Sequence, residues 1–314
     1  MIEDINIKPI REFDHLMCGV KDVEAVEDAF KMLGFTMGPV TPLEGVGVVN
    51  RRILLTPKHK NIANYIEFMQ LGGASGDIPS YLKKWLGASV RGDEGIHSFI
   101  MRTDDARAAF THFEKRHQAD PSGGFSPVLL EQDFVQNGPD GMPYRVNFSN
   151  CIMPDLEPPL YISTSQIKTL DFYMDSVWRT HPNGACSWLS TIAVSKTPLE
   201  TAKGMQAVWG GDIHLDDEGM VAVGPSEMRL KIFTPERFEH TYGVPVKTGA
   251  DRQEVLPYAA GVHISVNNID ETLDFLLKRQ IKPVLREHYV IIPPEYAHGI
   301  LLCFEQEKTN AAGE

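Results

Sequence analysis

With 314 residues, 42% of them hydrophobic and 23% charged, the chain has the composition of a globular protein long enough for two cores or one large one. A formal net charge of −12 excludes a nucleic-acid or anionic-membrane surface, because both need clustered Lys and Arg. No apolar run approaches the roughly 18 residues of a bilayer span, and the acidic start MIEDINIKPIREFD lacks the apolar core of an export signal, so a cytoplasmic protein is expected. The cysteines Cys18, Cys151, Cys186 and Cys303 form no CxxC pair and suggest free thiols, not a disulfide framework.

In chain order the first predicted strand is HLMCGV, preceded by the polar pair Asp14-His15. A helix follows over VEAVEDAFKMLG, with Val23, Val26, Ala29, Phe30 and Leu33 at helical spacing and Gly34 placed to end it. Strand-like runs RRILLTP and NYIEFMQL come next, the second bounded by Gly72-Gly73. The same order then recurs. GIHSFIMRT leads into the helix DDARAAFTHFEKR, for which Asp104 or Asp105 can cap the N-terminus, and then into SPVLLEQDFV, YRVNFSN and PPLYISTS. CSWLSTIAVS leads into TPLETAKGMQAVWG, with Thr197 at the N-cap and Pro198 at the first helical position, and then into MVAVGP and MRLKIFTP. GVHISVNN leads into IDETLDFLLKRQ, KPVLREHYVII and GILLCFEQE. The segments DSVWRTHPNGA and VPVKTGADRQEV carry the turn residues of linkers.

The pattern is α+β, with four βαβββ units over residues 10–75, 92–166, 182–238 and 256–308. One such unit leaves a sheet face uncovered, so units must pair to close a core. These repeats, the DH at the head of the first strand, YIEFMQL closing the first unit, LGF after the first helix, HPNGA before the third unit and HGILLCFEQ at the end together resemble the vicinal oxygen chelate superfamily. Glyoxalase I, extradiol ring-cleaving dioxygenases and bleomycin-resistance proteins belong to it, and its glyoxalase-like branch matches the short motifs best. The resemblance implies two cup-shaped half-barrel pairs, the glyoxalase/bleomycin resistance/dihydroxybiphenyl dioxygenase fold. It also implies a divalent metal held by the first and last strands of a unit.

Carried onto this chain, those positions are His15 and Glu67 in unit one, His97 with no partner acid in unit two, nothing in unit three, and His263 and Glu305 in unit four. Two cups compete. Units one and two would give His15, Glu67 and His97. Units one and four would give His15, His263 and Glu305, with Glu67 as a candidate fourth ligand. The second set is favoured, because two imidazoles and a carboxylate on one face make the triad of non-haem Fe(II) oxygenases. Fe(II) is the first expectation for the metal, with Mn(II), Zn(II) and Ni(II) also suited to these donors.

The expected activity is therefore ring cleavage of a small phenolic or dihydroxylated aromatic substrate. A glyoxalase-type isomerase, epimerase or lyase is the alternative, and a non-catalytic binding protein of the bleomycin-resistance type a further one. His298 and Tyr296 are candidate acid–base residues, while Arg286 and His97 are candidates to touch substrate. Each has a plainer role open to it, since a lone strand histidine is usually a hydrogen-bonded core residue and REHYVIIPPEYAHG could be an exposed hairpin. Asp14, next to His15, should point to the opposite face of its strand. No phosphate loop, dinucleotide fingerprint, GxSxG or HExxH is present. The expected partner is a small molecule alone, and a homo-oligomer is compatible with the sequence.

Overall fold

In the computed structural model the described residues are 12–57, 62–90, 92–119, 126–138, 141–153, 161–215, 220–224, 229–248 and 256–306. The outer ends of the expected first and fourth units (10–11 and 307–308) and the start of PPLYISTS lie outside them.

The elements fall into four successive groups of strand, helix and three strands. The first is β1 (Glu12–Gly19), α1 (Val23–Met32), β2 (Thr41–Leu43), β3 (Val48–Leu55) and β4 (Asn64–Leu71). A joining helix, α2 (Ser80–Val90), leads to β5 (Gly95–Arg102), α3 (Ala106–Ala119), β6 (Val128–Asn137), β7 (Pro143–Ile152) and β8 (Tyr161–Ile167). After the short α4 (Asp171–Met174) come β9 (Ala185–Val194), α5 (Pro198–Trp209), β10 (Asp212–Leu215), β11 (Val221–Gly224) and β12 (Leu230–Phe233). A second joining helix, α6 (Pro235–Tyr242), precedes β13 (Tyr258–Val266), α7 (Ile269–Lys278), β14 (Val284–Arg286), β15 (Tyr289–Ile292) and β16 (Leu301–Gln306).

Local chemistry explains the helix starts. Asp22 caps α1 by accepting from the Glu24 N–H, Asp105 takes the N–H groups of Arg107 and Ala108, and Asn268 takes those of Asp270 and Glu271. Thr197 precedes α5 without capping it; the Ser195 hydroxyl accepts the Thr197 N–H instead. The joining helices α2 and α6 were not expected from sequence.

Within each unit the first strand runs parallel to the last: β1 beside β4, β5 beside β8, β9 beside β12, β13 beside β16. Units then pair through their first strands, β1 antiparallel to β5 and β9 antiparallel to β13. Unit one is thus the partner of unit two, and unit three of unit four. This corrects the expectation that units one and four share a cup. The two halves meet at a β5–β13 seam bridged at Ala259 and Ile96.

One core gathers the inward faces of α1, α3, α5 and α7 with strand residues of all four units, including Phe30, Phe113, Met205, Leu276 and Phe304. Phe13 of the first unit stacks on Trp188 of the third, with ring centroids 4.8 Å apart. Among the described residues the opposite sheet faces build separate smaller clusters, two in the first half and one in the second. Among the described residues no helix is long and apolar enough to cross a membrane.

Candidate active site

The cup of units one and two encloses a cavity. Its polar lining is His15, Arg52, Tyr65, Glu67, Tyr173 and, from unit two, Gln132, Asn150, Ser163 and Ser165. Met17, Met69, Ile100, Phe148 and Ile152 make apolar walls, and α2 contributes Tyr81 and Leu82 to the rim. His15 and Glu67 share a face because His15 lies opposite Tyr65 in the β1–β4 ladder and Glu67 is two residues further along.

His15 is held from behind. The β1–β5 register slips between Phe13 and His15, so Asp14 is the extra residue of a bulge and does not take its turn in a regular alternation. Its carboxylate therefore reaches its neighbour: Asp14 Oδ1 accepts from His15 Nδ1 at 2.6 Å, fully buried. The expectation that Asp14 faces away is corrected. Burial pushes the Asp14 carboxyl above its ordinary range, opposed by the hydrogen bond and charge of His15. With Nδ1 carrying the proton, Nε2 presents its lone pair on the cavity side, 3.7 Å from Glu67 Oε2. Tyr65 stacks on the imidazole at 4.1 Å and 11°, and Tyr173 continues the stack at 5.2 Å.

Glu67 is held equally firmly. Asn50 donates to its Oε1 at 2.7 Å, and Arg52 Nε lies 3.5 Å from the same oxygen without making a hydrogen bond. Arg52 is 2% exposed; its Nη1 donates to Gln136 and Thr41, and its guanidinium lies 6.0 Å from the ring centres of Phe172 and Tyr173. Burial alone would lower its pKa, but Tyr173 and Glu67 hold it above the ordinary value, so the group stays charged. Burial also raises both phenols, Tyr173 to about 12, which keeps their protons on.

The second cup is built differently. His263 lies opposite Cys303 in the β13–β16 ladder and Glu305 is two residues further on, the same offset as His15, Tyr65 and Glu67. The imidazole is 1% exposed: Nδ1 lies 3.4 Å from Glu305 Oε2, and the Tyr242 hydroxyl at the end of α6 is hydrogen-bonded to Nε2 at 2.8 Å. Around Tyr242 pack Ile192, Val194, Phe233, Phe238 and Ile291.

The expected triad of His15, His263 and Glu305 is therefore divided between two cups. Because the units pair one with two and three with four, His15 stands apart from His263 and Glu305, which face each other in the second cup. His97 does not line the first cup. Its ring lies over Gly19, and burial, with Lys247 nearby, lowers its pKa to about 4. His298 sits at the seam between the halves, where Nδ1 bonds Glu94 Oε2 at 2.8 Å. Tyr296 packs against the shared core, and Arg286 is exposed on the β14–β15 hairpin beside Gly243. None of the three lines the first cavity. Sequence reasoning passed over Arg52, Tyr65 and Tyr173. Arg52 left one signal, an arginine pair inside the apolar run NRRILL, where a strand buried along its length must give each charge a partner. Arg51 uses Glu24 and Glu27 of α1 on the other face, which leaves Arg52 for the cup.

A centre built from His15, His263 and Glu305 together cannot form, because they are divided between two cups. Among the described residues no three His, Cys, Asp or Glu side chains cluster to hold an ion. The first cup supplies His15 and Glu67, and beside Glu67 a buried guanidinium already provides the positive charge an ion would bring.

Paired βαβββ units closing cups around such a cavity define a protein of the vicinal oxygen chelate superfamily. The chain belongs to the glyoxalase-like domain family, whose model matches residues 13–209, a span that contains the whole lining of the first cavity and ends before His263. No curated protein matches the chain. Solved structures share its fold at low identity. A hypothetical protein from Staphylococcus aureus aligns over 94% of this chain and 99% of its own at 13% identity, with a TM-score of 0.58. A Mn(II)-bound glyoxalase from Novosphingobium aromaticivorans aligns over 95% and 83% at 12% identity, with a TM-score of 0.52. A fusion of a xylose isomerase-like TIM barrel with a 4-hydroxyphenylpyruvate dioxygenase aligns over 97% of this chain and 50% of its own at 11% identity, with a TM-score of 0.51.

Proposed function

We propose that the protein is a small-molecule enzyme of the isomerase, epimerase or lyase type, working by proton transfer in the first cup. The observation that carries this reading is the buried Asp14–His15 pair, 2.6 Å apart, behind a cavity-lining imidazole. A buried carboxylate is costly unless it serves a partner. Here it fixes one tautomer and balances the imidazolium that forms when Nε2 takes a proton, the arrangement a general base requires. Arg52, charged and desolvated, would stabilise negative charge left on the substrate. Sequestration alone gives no reason for a histidine oriented in this way. Ring cleavage through a His15, His263 and Glu305 centre is not proposed, because those residues stand in different cups.

The test is deuterium wash-in. Phenylpyruvate and hydroxyacetone, incubated in D₂O with the protein, should exchange the hydrogen beside the carbonyl faster than in buffer, and His15→Gln should lose at least about 100-fold of that excess. Exchange at the buffer rate, or exchange that survives the substitution, would remove the reading. A second reading places a divalent ion on His15 and Glu67 alone, with its other positions left to substrate. Its support is the 3.7 Å between Nε2 and Oε2, the use of a carboxylate behind a ligating histidine, and the Mn(II)-bound glyoxalase of like fold. Elemental analysis decides: near-stoichiometric Mn, Fe, Zn or Ni that disappears in His15→Ala favours the ion, and exchange unaffected by EDTA favours the base.

A further inference from the structure

We infer that the first cup takes a short polyhydroxylated carbonyl compound, whose hydroxyls are held by Gln132, Asn150, Ser163 and Ser165 of unit two. This rests on the first cup being the site of proton transfer, and it adds the substrate class. The charged groups of the lining, His15, Glu67 and Arg52, all come from unit one, whereas unit two supplies neutral amides and hydroxyls to the same cavity. The run YISTSQI of β8 puts Ser163 and Ser165 on one face, two residues apart. Asn150 stands directly opposite Ser165 in the β7–β8 ladder, and Gln132 is two residues along β6 from Leu130, the partner of Asn150. The four side chains make one patch across three neighbouring strands.

That patch is unspent. Asn150 Oδ1 is buried and, among the described residues, has no hydrogen-bond partner. Ser163 and Ser165 are each 1% exposed, and among the described residues neither hydroxyl bonds another protein group. Buried polar atoms need partners, and the open side here is the cavity. The fold itself does not ask for hydroxyls, since unit three gives the cluster of its own cup Ile192, Val194 and Phe233. An amide oxygen only accepts, so Asn150 Oδ1 calls for an O–H, while the serines can donate and accept. A ligand that answers all of them carries several hydroxyls, with Met17, Ile100 and Ile152 covering the C–H edges of its carbon chain. Its carbonyl oxygen then faces Arg52. The hydrogen beside the carbonyl passes as a proton to His15 Nε2, and the electron pair it leaves moves onto that oxygen. Return of the proton restores or inverts the carbon it left.

Erythrulose and 1-hydroxy-2-butanone share their four carbons, the carbonyl and the hydroxyl beside it, and differ by the two further hydroxyls. Titrated separately into the full chain by calorimetry and ligand-observed NMR, erythrulose should bind at least about tenfold more tightly. A cup that offers apolar walls alone, its polar patch satisfied by water, gives the opposite order, because the deoxy compound is the more hydrophobic. Asn150→Leu and Ser165→Ala should each cut the erythrulose preference by about threefold or more and leave the affinity for 1-hydroxy-2-butanone within about twofold of wild type. Equal affinities, the reverse order, or a preference undiminished in both variants would overturn the inference. If Asn150→Leu does not fold, Ser165→Ala and the wild-type order decide. An erythrulose preference with no deuterium wash-in would keep the polyhydroxylated ligand and remove the proton-transfer reading. Wash-in into hydroxyacetone without an erythrulose preference would do the reverse.

Discussion

Histidines in this chain do opposite electrostatic work, and pH should separate them. His181 is buried, its Nδ1 accepting the Thr36 N–H at 3.1 Å and its Nε2 donating to the Leu54 carbonyl at 2.9 Å. Burial lowers its pKa from 6.5 to about 4, and protonating Nδ1 would break the bond from Thr36. A depressed folded pKa means that the stabilisation is complete above the unfolded value and is lost as pH falls from 6.5 toward 4, on the order of 3 kcal/mol in all. His298 runs the other way. Its hydrogen bond to Glu94 raises its pKa above 6.5, so its contribution is complete below 6.5 and is lost as pH rises through the raised value. Thermal unfolding from pH 4.5 to 8.5 should show the difference. The wild type minus His181→Gln gap in Tm should shrink on acidification, and the wild type minus His298→Gln gap should shrink on alkalinisation. Asp14 marks the limit of sequence legibility at this scale. Strand alternation sends it away from His15, and only a bulge, which depends on the pairing of β1 with β5, brings it back.

Among the elements, the first helix shows how much was legible and why. Its apolar stripe, its Asp22 cap and the left-handed Gly34 (φ 85°) are local properties, written within a dozen residues. What LGF and HPNGA do was not local. Asn183 Nδ2 donates to the Leu33 carbonyl, the Asn183 N–H donates to the Gly34 carbonyl, and Thr272 on α7 donates to the Asn183 carbonyl. The two motifs are one joint between α1, the approach to β9, and α7. A Cβ on Gly34 would come within 2.3 Å of the Phe275 ring, in a backbone conformation that only glycine adopts cheaply. Gly34→Ala should therefore cost about 2–4 kcal/mol, read as a lowered urea midpoint with an unchanged m-value. The joining helices α2 and α6 place Tyr81, Leu82, Phe238 and Tyr242 in the clusters of the two cups.

At the scale of the molecule, four repeats imply that units pair, but no residue of the sequence states which repeats pair. Matched histidines in units one and four pointed to a common centre. The ladders place them in separate halves, because β1 pairs with β5 and β9 with β13. The shared core has its own consequence for stability. Phe13 lies between Phe99 of its own half and Trp188 and Trp209 of the other. Phe13→Ala should cost about 3–5 kcal/mol. Tryptophan fluorescence and far-UV circular dichroism should still report one coincident urea transition, because no half has a complete core by itself. Two separated transitions would show that the halves unfold independently.

The continuous connection of units one and two through α2 has a further consequence. The pairing of β1 with β5 that closes the first cup lies within one chain, so closing the cup is an intramolecular event governed by effective concentration, not by encounter. Dilution cannot disassemble it. Whatever this cup binds, occupancy per molecule should follow the ligand alone, down to protein concentrations at which a site shared between subunits would have come apart.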